Sequence, residues 1–381
     1  MGRSKVLATI LVVVILVAIA LTFGAANASA KSCNWHQNHQ ALYVQTDEPS
    51  ANHIVVYHRS WNGMLKFEGS YATGGKGGVA AGSVVDPLAS QGSLASASGG
   101  SVLLAVNAGS DTVSLFRTAR GDKLLLKQVV PSGGQFPVSI AVRGPLVYVL
   151  NAGGAGSVQG YWLFCDHLWA IAGSNRSLGL ENTNPPNFLA SPGMVGFTPD
   201  GSRLIVTTKN SGSMIDVFDV RHGGMLSSAP VMNASAKPVP FAFSFDRCGR
   251  LVMVEAGAST VSTYAINHDD TLTTIGSAAD FQPAACWISM ARGFYFVSNA
   301  GGPNISTYML DASGMPSVVG SPTAAAAGTI DSAATRDGCY LYQECGGAGE
   351  VLAYRINHDG SLILIQTVTG LPIPFEGIAL N

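Results

Sequence analysis

The feature that most constrains the fold is a sequence unit that recurs seven times along the chain. Each copy begins with a short apolar run, and a β-branched residue with an aromatic residue three positions later follows it. The seven pairs are Ile54/Tyr57, Val113/Phe116, Val158/Tyr161, Ile215/Phe218, Val261/Tyr264, Ile305/Tyr308 and Val351/Tyr354. Because both marks recur in the same order, one supersecondary unit is repeated through the chain.

The spacing of these pairs indicates the architecture. Successive pairs are 59, 45, 57, 46, 44 and 46 residues apart. Periods near 45 match the four-stranded blade of a β-propeller. The two longer intervals contain inserted loops, the Gly/Ala/Ser-rich segment 74–100 and the Asn/Pro-rich segment 180–193. The sequence therefore predicts an all-β fold, a seven-bladed β-propeller of four-stranded antiparallel blades.

The two ends of the repeat region predict how the ring closes. The first blade begins at ALYV, residues 41–44, without an inner strand, and the chain ends on a spare strand in PFEGIAL, residues 374–380. We expect these two strands to pair, so that no sheet edge is left open. A domain boundary inside the ring would break that closure. We therefore expect a short N-terminal arm, 31–40, followed by one propeller domain, 41–381.

The first thirty residues have the layout of an export signal. Arg3 and Lys5 precede an apolar run over residues 6–23, and Ala28-Ser29-Ala30 supplies a small-residue cleavage pattern. This predicts a signal peptide, 1–30. The run approaches the length of a membrane span, so retention as an N-terminal anchor is the alternative, and only then is a membrane contact expected. Either way, the sequence predicts a secreted or extracytoplasmic protein, in the periplasm or at the cell surface.

Composition limits the partners. Charged residues are 12% of the chain and the formal net charge is −2. This offers no basic surface, so we expect no nucleic-acid partner. The six cysteines permit disulfides, and Cys286 and Cys345 are one candidate pair near the same end of the ring. The His36-x-x-His39 pattern lacks further ligands. We predict no metal site and no cofactor.

Several segments resemble a known family. NAGSDTVSLF, FPVSIAV, LVYVLNAGG and GFTPDGSRLIV resemble the lactonase-like seven-bladed propellers, which include 6-phosphogluconolactonases and carboxymuconate-lactonising enzymes. The resemblance covers essentially the whole chain after the signal and implies lactone chemistry. Active members carry an Arg-His pair and a strand ending in Asn-Glu. Gly193-Met194 and Thr208-Lys209 stand at the matching positions here.

Polar residues at one mouth of the predicted ring are the candidate site. They follow the repeat-mark strands or precede the inner strands, which open on the same face. We expect ligand binding by Asn107, Asn151, Asn299, Glu344, Gln135 and Gln282, with Gln45 also on the rim. Lys209 could polarise a carbonyl, with Glu255 or Glu376 as base. The alternative is that Asn and Gly only form the corners at the strand ends.

Two functions of different class follow. The first is a binding or interaction scaffold that holds a small polar ligand, a glycan or a protein at the propeller mouth. The missing Arg-His pattern and the export signal favour it. The alternative is a lactone hydrolase or lactonising isomerase, which the family resemblance implies. Whether the protein is an enzyme stays open at this point.

Overall fold

The computed structural model describes residues 40–381, so the predicted signal peptide and nearly all of the N-terminal arm lie outside the described residues. The described chain forms thirty strands in seven antiparallel sheets. Each sheet is one blade, and except in the blade that contains both the first and the last strand of the chain, neighbouring strands along the sheet are consecutive in sequence. The predicted seven-bladed propeller is confirmed.

The first four blades, with strands in chain order, have the following bounds. Blade 1 contains β1 (Ala41–Gln45), β2 (His53–Arg59) and β3 (Leu65–Ala72), and blade 2 contains β4 (Leu94–Ala97), β5 (Val102–Asn107), β6 (Thr112–Thr118) and β7 (Leu124–Pro131). Blade 3 contains β8 (Pro137–Arg143), β9 (Leu146–Asn151), β10 (Ser157–Phe164) and β11 (His167–Ala170), with the short β12 (Arg176–Ser177) also on β10. Blade 4 contains β13 (Val195–Phe197), β14 (Arg203–Thr207), β15 (Met214–Asp219) and β16 (Val231–Ala234).

The remaining blades repeat this order. Blade 5 contains β17 (Pro240–Phe245), β18 (Leu251–Glu255), β19 (Thr260–Ile266) and β20 (Leu272–Ala279). Blade 6 contains β21 (Ala285–Ala291), β22 (Phe294–Asn299), β23 (Asn304–Leu310) and β24 (Pro316–Val318), with β25 (Thr323–Ala324) also on β23. Blade 7 contains β26 (Thr329–Ala334), β27 (Tyr340–Cys345), β28 (Glu350–Ile356) and β29 (Leu362–Thr369), and β30 (Ile378–Leu380) ends the chain. Three short 3-10 turns lie at Ser98–Gly100, Ala108–Ser110 and His222–Gly224.

The last strand closes the ring as expected. β30 pairs antiparallel with β1, with Leu380 opposite Leu42 and Ile378 opposite Val44. It is therefore the inner strand of blade 1. This pairing joins the two ends of the propeller and protects the edge of β1 from other strands.

The recurring aromatic residue has a structural reason. It lies on the third strand of each blade, and in several blades its hydroxyl reaches the preceding blade. Tyr161 donates to the carbonyl of Pro131 at 2.6 Å, and Tyr354 donates to that of Ala324 at 2.7 Å. Because the ring is buried while its hydroxyl satisfies a carbonyl of the preceding sheet, this position stabilises blade-to-blade packing.

Candidate functional site

The mouth of the ring, where the inner strands begin, is filled by the chain itself. Residues 86–93, which we call the plug, belong to the insertion between β3 and β4, and Leu88, Ala89 and Ser90 are fully buried. Ser90 donates through its hydroxyl to Val138 O of blade 3 at 2.8 Å, and its carbonyl accepts from Trp287 Nε1 of blade 6 at 2.5 Å. A segment that contacts blades 3 and 6 together lies across the axis of the ring.

Gln91 strengthens this placement. Its side-chain amide forms two hydrogen bonds with the backbone of Ile288 on β21, donating to the carbonyl at 2.8 Å and accepting from the N–H at 3.1 Å. Its own N–H donates to Gly193 O of blade 4 at 2.9 Å. Gln91 therefore ties the plug to blade 6 and to the segment that leads into blade 4.

Glu376, predicted as a base, binds the plug. Its Oε2 accepts from the N–H groups of Leu88 at 2.8 Å and Ala89 at 3.1 Å, and its Oε1 accepts from that of Ser90 at 2.9 Å. Burial raises the pKa of this carboxyl well above its usual range, and the nearby carboxylates Asp86 and Asp47 raise it further. The three N–H donors act in the opposite direction, because they favour the ionised form.

Lys209, predicted to polarise a carbonyl, binds the same segment. Its Nζ donates to Ala89 O at 2.6 Å and to Phe188 O, and it lies 5.1 Å from the centre of the Phe241 ring. Burial lowers its pKa to about 8, although the carboxylates of Asp86 and Glu376 oppose that shift. The fully buried ammonium group is thus engaged by carbonyls and an aromatic ring of its own chain.

These two predicted catalytic residues meet on one peptide group of the plug. Ala89 accepts from Lys209 through its carbonyl and donates to Glu376 through its N–H. Of the three residues predicted to be catalytic, the structure brings Lys209 and Glu376 together, since one follows and the other precedes a strand at the mouth. In this arrangement their polar atoms bind the protein backbone.

Glu255 lies apart from this pair. Its carboxylate accepts from Ser235 Oγ at 2.7 Å, Thr260 Oγ1 at 2.9 Å, Ser262 Oγ at 2.5 Å and Tyr264 OH at 2.6 Å. All of these partners belong to blade 5 or to the connection that leads into it. Its hydrogen bonds therefore fasten the corner of blade 5, and its predicted catalytic role stays a prediction.

Further carboxyl groups surround Glu376, and the sequence reasoning missed most of them. Burial raises the pKa of Asp47 to about 8 and that of Asp331 to about 7, and it raises the pKa of Glu344 as well. Asp47 accepts from Glu376 N at 3.1 Å, and Glu344 accepts from Gly377 N at 2.9 Å through Oε2. Its Oε1 is buried without a hydrogen-bond partner. Asp47 and Glu344 thus converge on the peptide N–H groups of residues 376 and 377.

The asparagines at the rim donate hydrogen bonds to serine hydroxyls rather than to the plug. Asn107 donates to Ser114 Oγ at 2.8 Å, and Asn299 donates to Ser306 Oγ at 3.0 Å, in each case on the third strand of the same blade. Asn151 does the same more weakly toward Ser157, at 3.3 Å. All three asparagines are fully buried. These contacts favour the corner interpretation, while ligand binding by these residues stays a prediction.

The strand-end residues also occupy two registers rather than one. Asn107 lies opposite Thr112, one position before the first residue of the repeat pair, whereas Gln45 and Glu344 lie opposite that first residue itself, Ile54 and Val351. A shift of one residue turns a side chain to the other face of the sheet. Gln45 and Glu344 therefore face differently from the asparagines.

The two remaining predicted ligands lie before inner strands. Gln135 is exposed ahead of β8, and its carbonyl accepts from Gly153 N at 2.9 Å. Gln282 is half-buried ahead of β21, and its Oε1 accepts from Asn304 at 3.0 Å. Among the described residues, 40–381, neither glutamine forms a hydrogen bond with the plug.

Other features of the described chain complete the site. No three His, Cys, Asp or Glu side chains within residues 40–381 are placed to ligate a metal ion. Cys286 and Cys345 are buried free thiols, so the disulfide considered between them is not formed. No helix in this part of the chain is long and apolar enough to cross a membrane. A recess of about 740 Å³ opens at the other end of the ring, lined by residues 140–145, 194–199 and Phe245.

Comparisons with known proteins agree with the architecture. No family model matches the chain, and no curated protein does. A solved Lactobacillus plantarum protein is 16% identical with a TM-score of 0.72, covering 90% of this chain and 99% of its own. A putative 6-phosphogluconolactonase from Bacteroides uniformis is 17% identical with a TM-score of 0.70, and the match covers 91% of this chain and 100% of that protein. The periplasmic gluconolactonase of Pseudomonas aeruginosa is 17% identical with a TM-score of 0.68, and the match covers 88% of this chain and 98% of that protein. The chain therefore has the fold of the lactonase-like seven-bladed propellers.

Proposed function

We propose that this protein is an extracytoplasmic binding propeller that does not turn over lactones and that presents its mouth face to a protein partner. The observation that carries the proposal is the plug. It occupies the centre of the mouth, and it takes up the polar atoms of Lys209 and Glu376 that a lactone would need. A substrate carbonyl has no access to either group in this arrangement.

The surface of the filled mouth supports a protein partner. Apolar side chains project from the loops around the plug, and three of them are strongly exposed: Val84, Phe281 and Ile373. They belong to the insertion before β4 and to the connections before β21 and β30. Exposed apolar groups around one face are typical of interaction surfaces rather than of sites for small polar ligands.

Two observations support the location outside the cytoplasm. The sequence of residues 1–30 has the pattern of a signal peptide. Among proteins of the same fold, the Pseudomonas aeruginosa gluconolactonase is periplasmic. Fractionation of cells that express the full-length chain tests this part of the proposal, and recovery of the uncleaved protein in the cytoplasm contradicts it.

A lactone panel tests the central claim. Purified mature protein should leave aldonolactones and their 6-phosphates unchanged beyond the rate of spontaneous hydrolysis, with lactone loss followed by hydroxamate formation. Lys209→Ala and Glu376→Gln should not alter that rate. Turnover by the wild type that disappears in both variants, while the variants keep their β-sheet circular dichroism, contradicts the proposal.

The second candidate is lactone hydrolysis after displacement of the plug. It is favoured by the shared contact of Lys209 and Glu376 on Ala89, because the same two groups could bind a lactone carbonyl and activate a water molecule once that peptide leaves. A variant in which a short Gly-Ser linker replaces residues 77–91 distinguishes the two. Only the hydrolase hypothesis expects this variant to gain turnover that depends on both side chains.

A further inference from the structure

An aromatic cluster lies far from the mouth, on the outer hairpin of blade 3. Strands β10 and β11 pair so that Trp162 lies directly opposite Trp169, and Phe164 lies opposite His167. Directly paired residues share a face of the sheet, and so do residues two apart on one strand. The four rings therefore lie on one face, which we call the aromatic platform.

The platform faces away from the core. Trp162, Phe164 and Trp169 are 36%, 70% and 61% exposed. The intervening residues Leu163 and Leu168 are buried on the opposite face. The Leu168 backbone also forms hydrogen bonds with Gln128 of blade 2, at 2.8 and 3.3 Å. The hairpin is thus anchored through its other face, and the platform stays open.

Three of the four rings have neighbouring contacts within the protein. Trp162 closely approaches Gly224 of blade 4, where an added Cβ would lie 3.2 Å from its Cζ2 atom. His167 lies 6.2 Å from Trp169 between ring centres at an interplanar angle of 32°, and its Nδ1 pairs with Cys165 O at 2.9 Å. Aromatic side chains have few rotatable bonds, so they lose little conformational entropy when they bind a ligand.

The chemistry of the platform selects the class of ligand. Its rings combine apolar faces with N–H groups at their edges. The exposed ion pair of Arg221 and Asp219, 3.5 Å apart, lies on the stretch leading to the Gly224 turn that Trp162 contacts. Apolar C–H faces of sugar rings stack on such rings, while their hydroxyls bond to the neighbouring polar groups.

Other partners fit less well. The paired segments extend roughly 13 Å along strands about 5 Å apart, whereas a stable protein interface buries about 800 Å² on each partner. Nucleic acids and anionic lipids require clustered Lys and Arg, which the platform lacks. Insertion into a bilayer would bury the Arg117–Asp166 ion pair at the hairpin tip, whose N–O distance is 3.0 Å.

We propose that the aromatic platform is a carbohydrate-binding site for a neutral oligosaccharide. It goes beyond the proposed function, since the site lies on a different face from the mouth and does not depend on the plug. Trp169 and Phe164 supply the main stacking surface, and Trp162 sets its edge against blade 4.

Calorimetric titration of the mature protein with neutral hexasaccharides tests this proposal. The probes are cellohexaose, xylohexaose and mannohexaose. At least one should bind with a Kd below about 1 mM and should change the tryptophan fluorescence. Trp169→Ala should weaken binding at least about tenfold, as expected for removal of a main aromatic contact. Because Trp169 is on the surface, its removal should leave the unfolding midpoint unchanged.

Trp61→Ala is the matched control. Trp61 is 86% exposed on the β2–β3 turn of blade 1, so its removal should leave the affinity unchanged. No binding of any of the three hexasaccharides by the wild type overturns the proposal, as does equal weakening in both variants. If the wild type binds phosphatidylcholine vesicles through Trp169 and binds none of the sugars, the platform is a membrane contact and the carbohydrate proposal is wrong. Lactone turnover bears only on the mouth, so the two proposals fail separately.

Discussion

Replacing Glu376 with alanine should release the plug and destabilise the whole ring. The carboxylate accepts hydrogen bonds from three consecutive buried N–H groups, those of Leu88, Ala89 and Ser90. Leaving one buried donor without a partner costs about 1–3 kcal/mol. Three such donors set an upper range of several kcal/mol, and loss of an unfavourably buried carboxyl offsets part of it. We expect the free energy of unfolding to fall by about 3 kcal/mol.

Urea unfolding and amide hydrogen exchange measure this effect together. Glu376→Ala should lower the urea midpoint, and exchange at residues 88–90 should accelerate more than exchange in the blade strands. Glu376→Gln keeps one carbonyl acceptor and should show a smaller loss. Glu181→Ala removes an exposed carboxylate and should change the free energy of unfolding by less than about 0.5 kcal/mol.

One result refutes the reasoning. If Glu376→Ala unfolds at the wild-type urea concentration and residues 88–90 stay protected from exchange, the plug does not depend on this carboxylate. The assignment of Glu376 to the protein's own backbone would then be wrong.

Three other perturbations test the acidic cluster, the blade contacts and the closure. Because burial raises the pKa of Asp47 from 3.8 to about 8, the folded state retains a proton that the unfolded state releases. Its contribution is present below about pH 4 and is lost as the pH rises toward 8, so Asp47→Asn should reduce the fall of the free energy of unfolding with pH, measured by urea unfolding, by up to about 1.4 kcal/mol per pH unit. Tyr161→Phe removes the 2.6 Å hydrogen bond to Pro131 O and should cost about 1 kcal/mol in urea unfolding; an unchanged midpoint contradicts the blade-contact role. Deleting 378–381 exposes the edge of β1 and should produce oligomers in size-exclusion chromatography, whereas a stable monomer argues against closure by β30.

The blades were predictable from the sequence because their determinants are local and repeated. The apolar run forms the second strand and the β-branched/aromatic pair forms the third, as in β9 with Val158 and Tyr161 on β10. The closing strand was also predictable. Each end of the repeat region has one strand without a partner, and pairing these two strands leaves no sheet edge open. These features depend on neighbours within one blade or on the count of strands.

The plug was not predictable in this way. Its Gly/Ala/Ser-rich sequence has no periodicity, and its stabilising contacts join residues such as Leu88 and Glu376, which are 288 positions apart. The one local signal was Asp86, the single charged residue of the plug. The two registers at the strand ends could not be predicted from the sequence either. A shift of one residue in the strand pairing does not change the apolar run that marks the strand.

The plug also changes how the ring should lose its structure. In repeat proteins each unit contacts only its neighbours, so stability is close to a sum of local terms and unfolding can begin at any unit. Here residues 86–93 bind blade 3, blade 6, the segment that leads into blade 4 and the segment that leads into β30, the strand that completes blade 1. Loosening one of these blades therefore displaces the plug and weakens its contacts with the other blades. The propeller should unfold as one cooperative unit, because its centre supports blades that are not neighbours in the ring as well as blades that are.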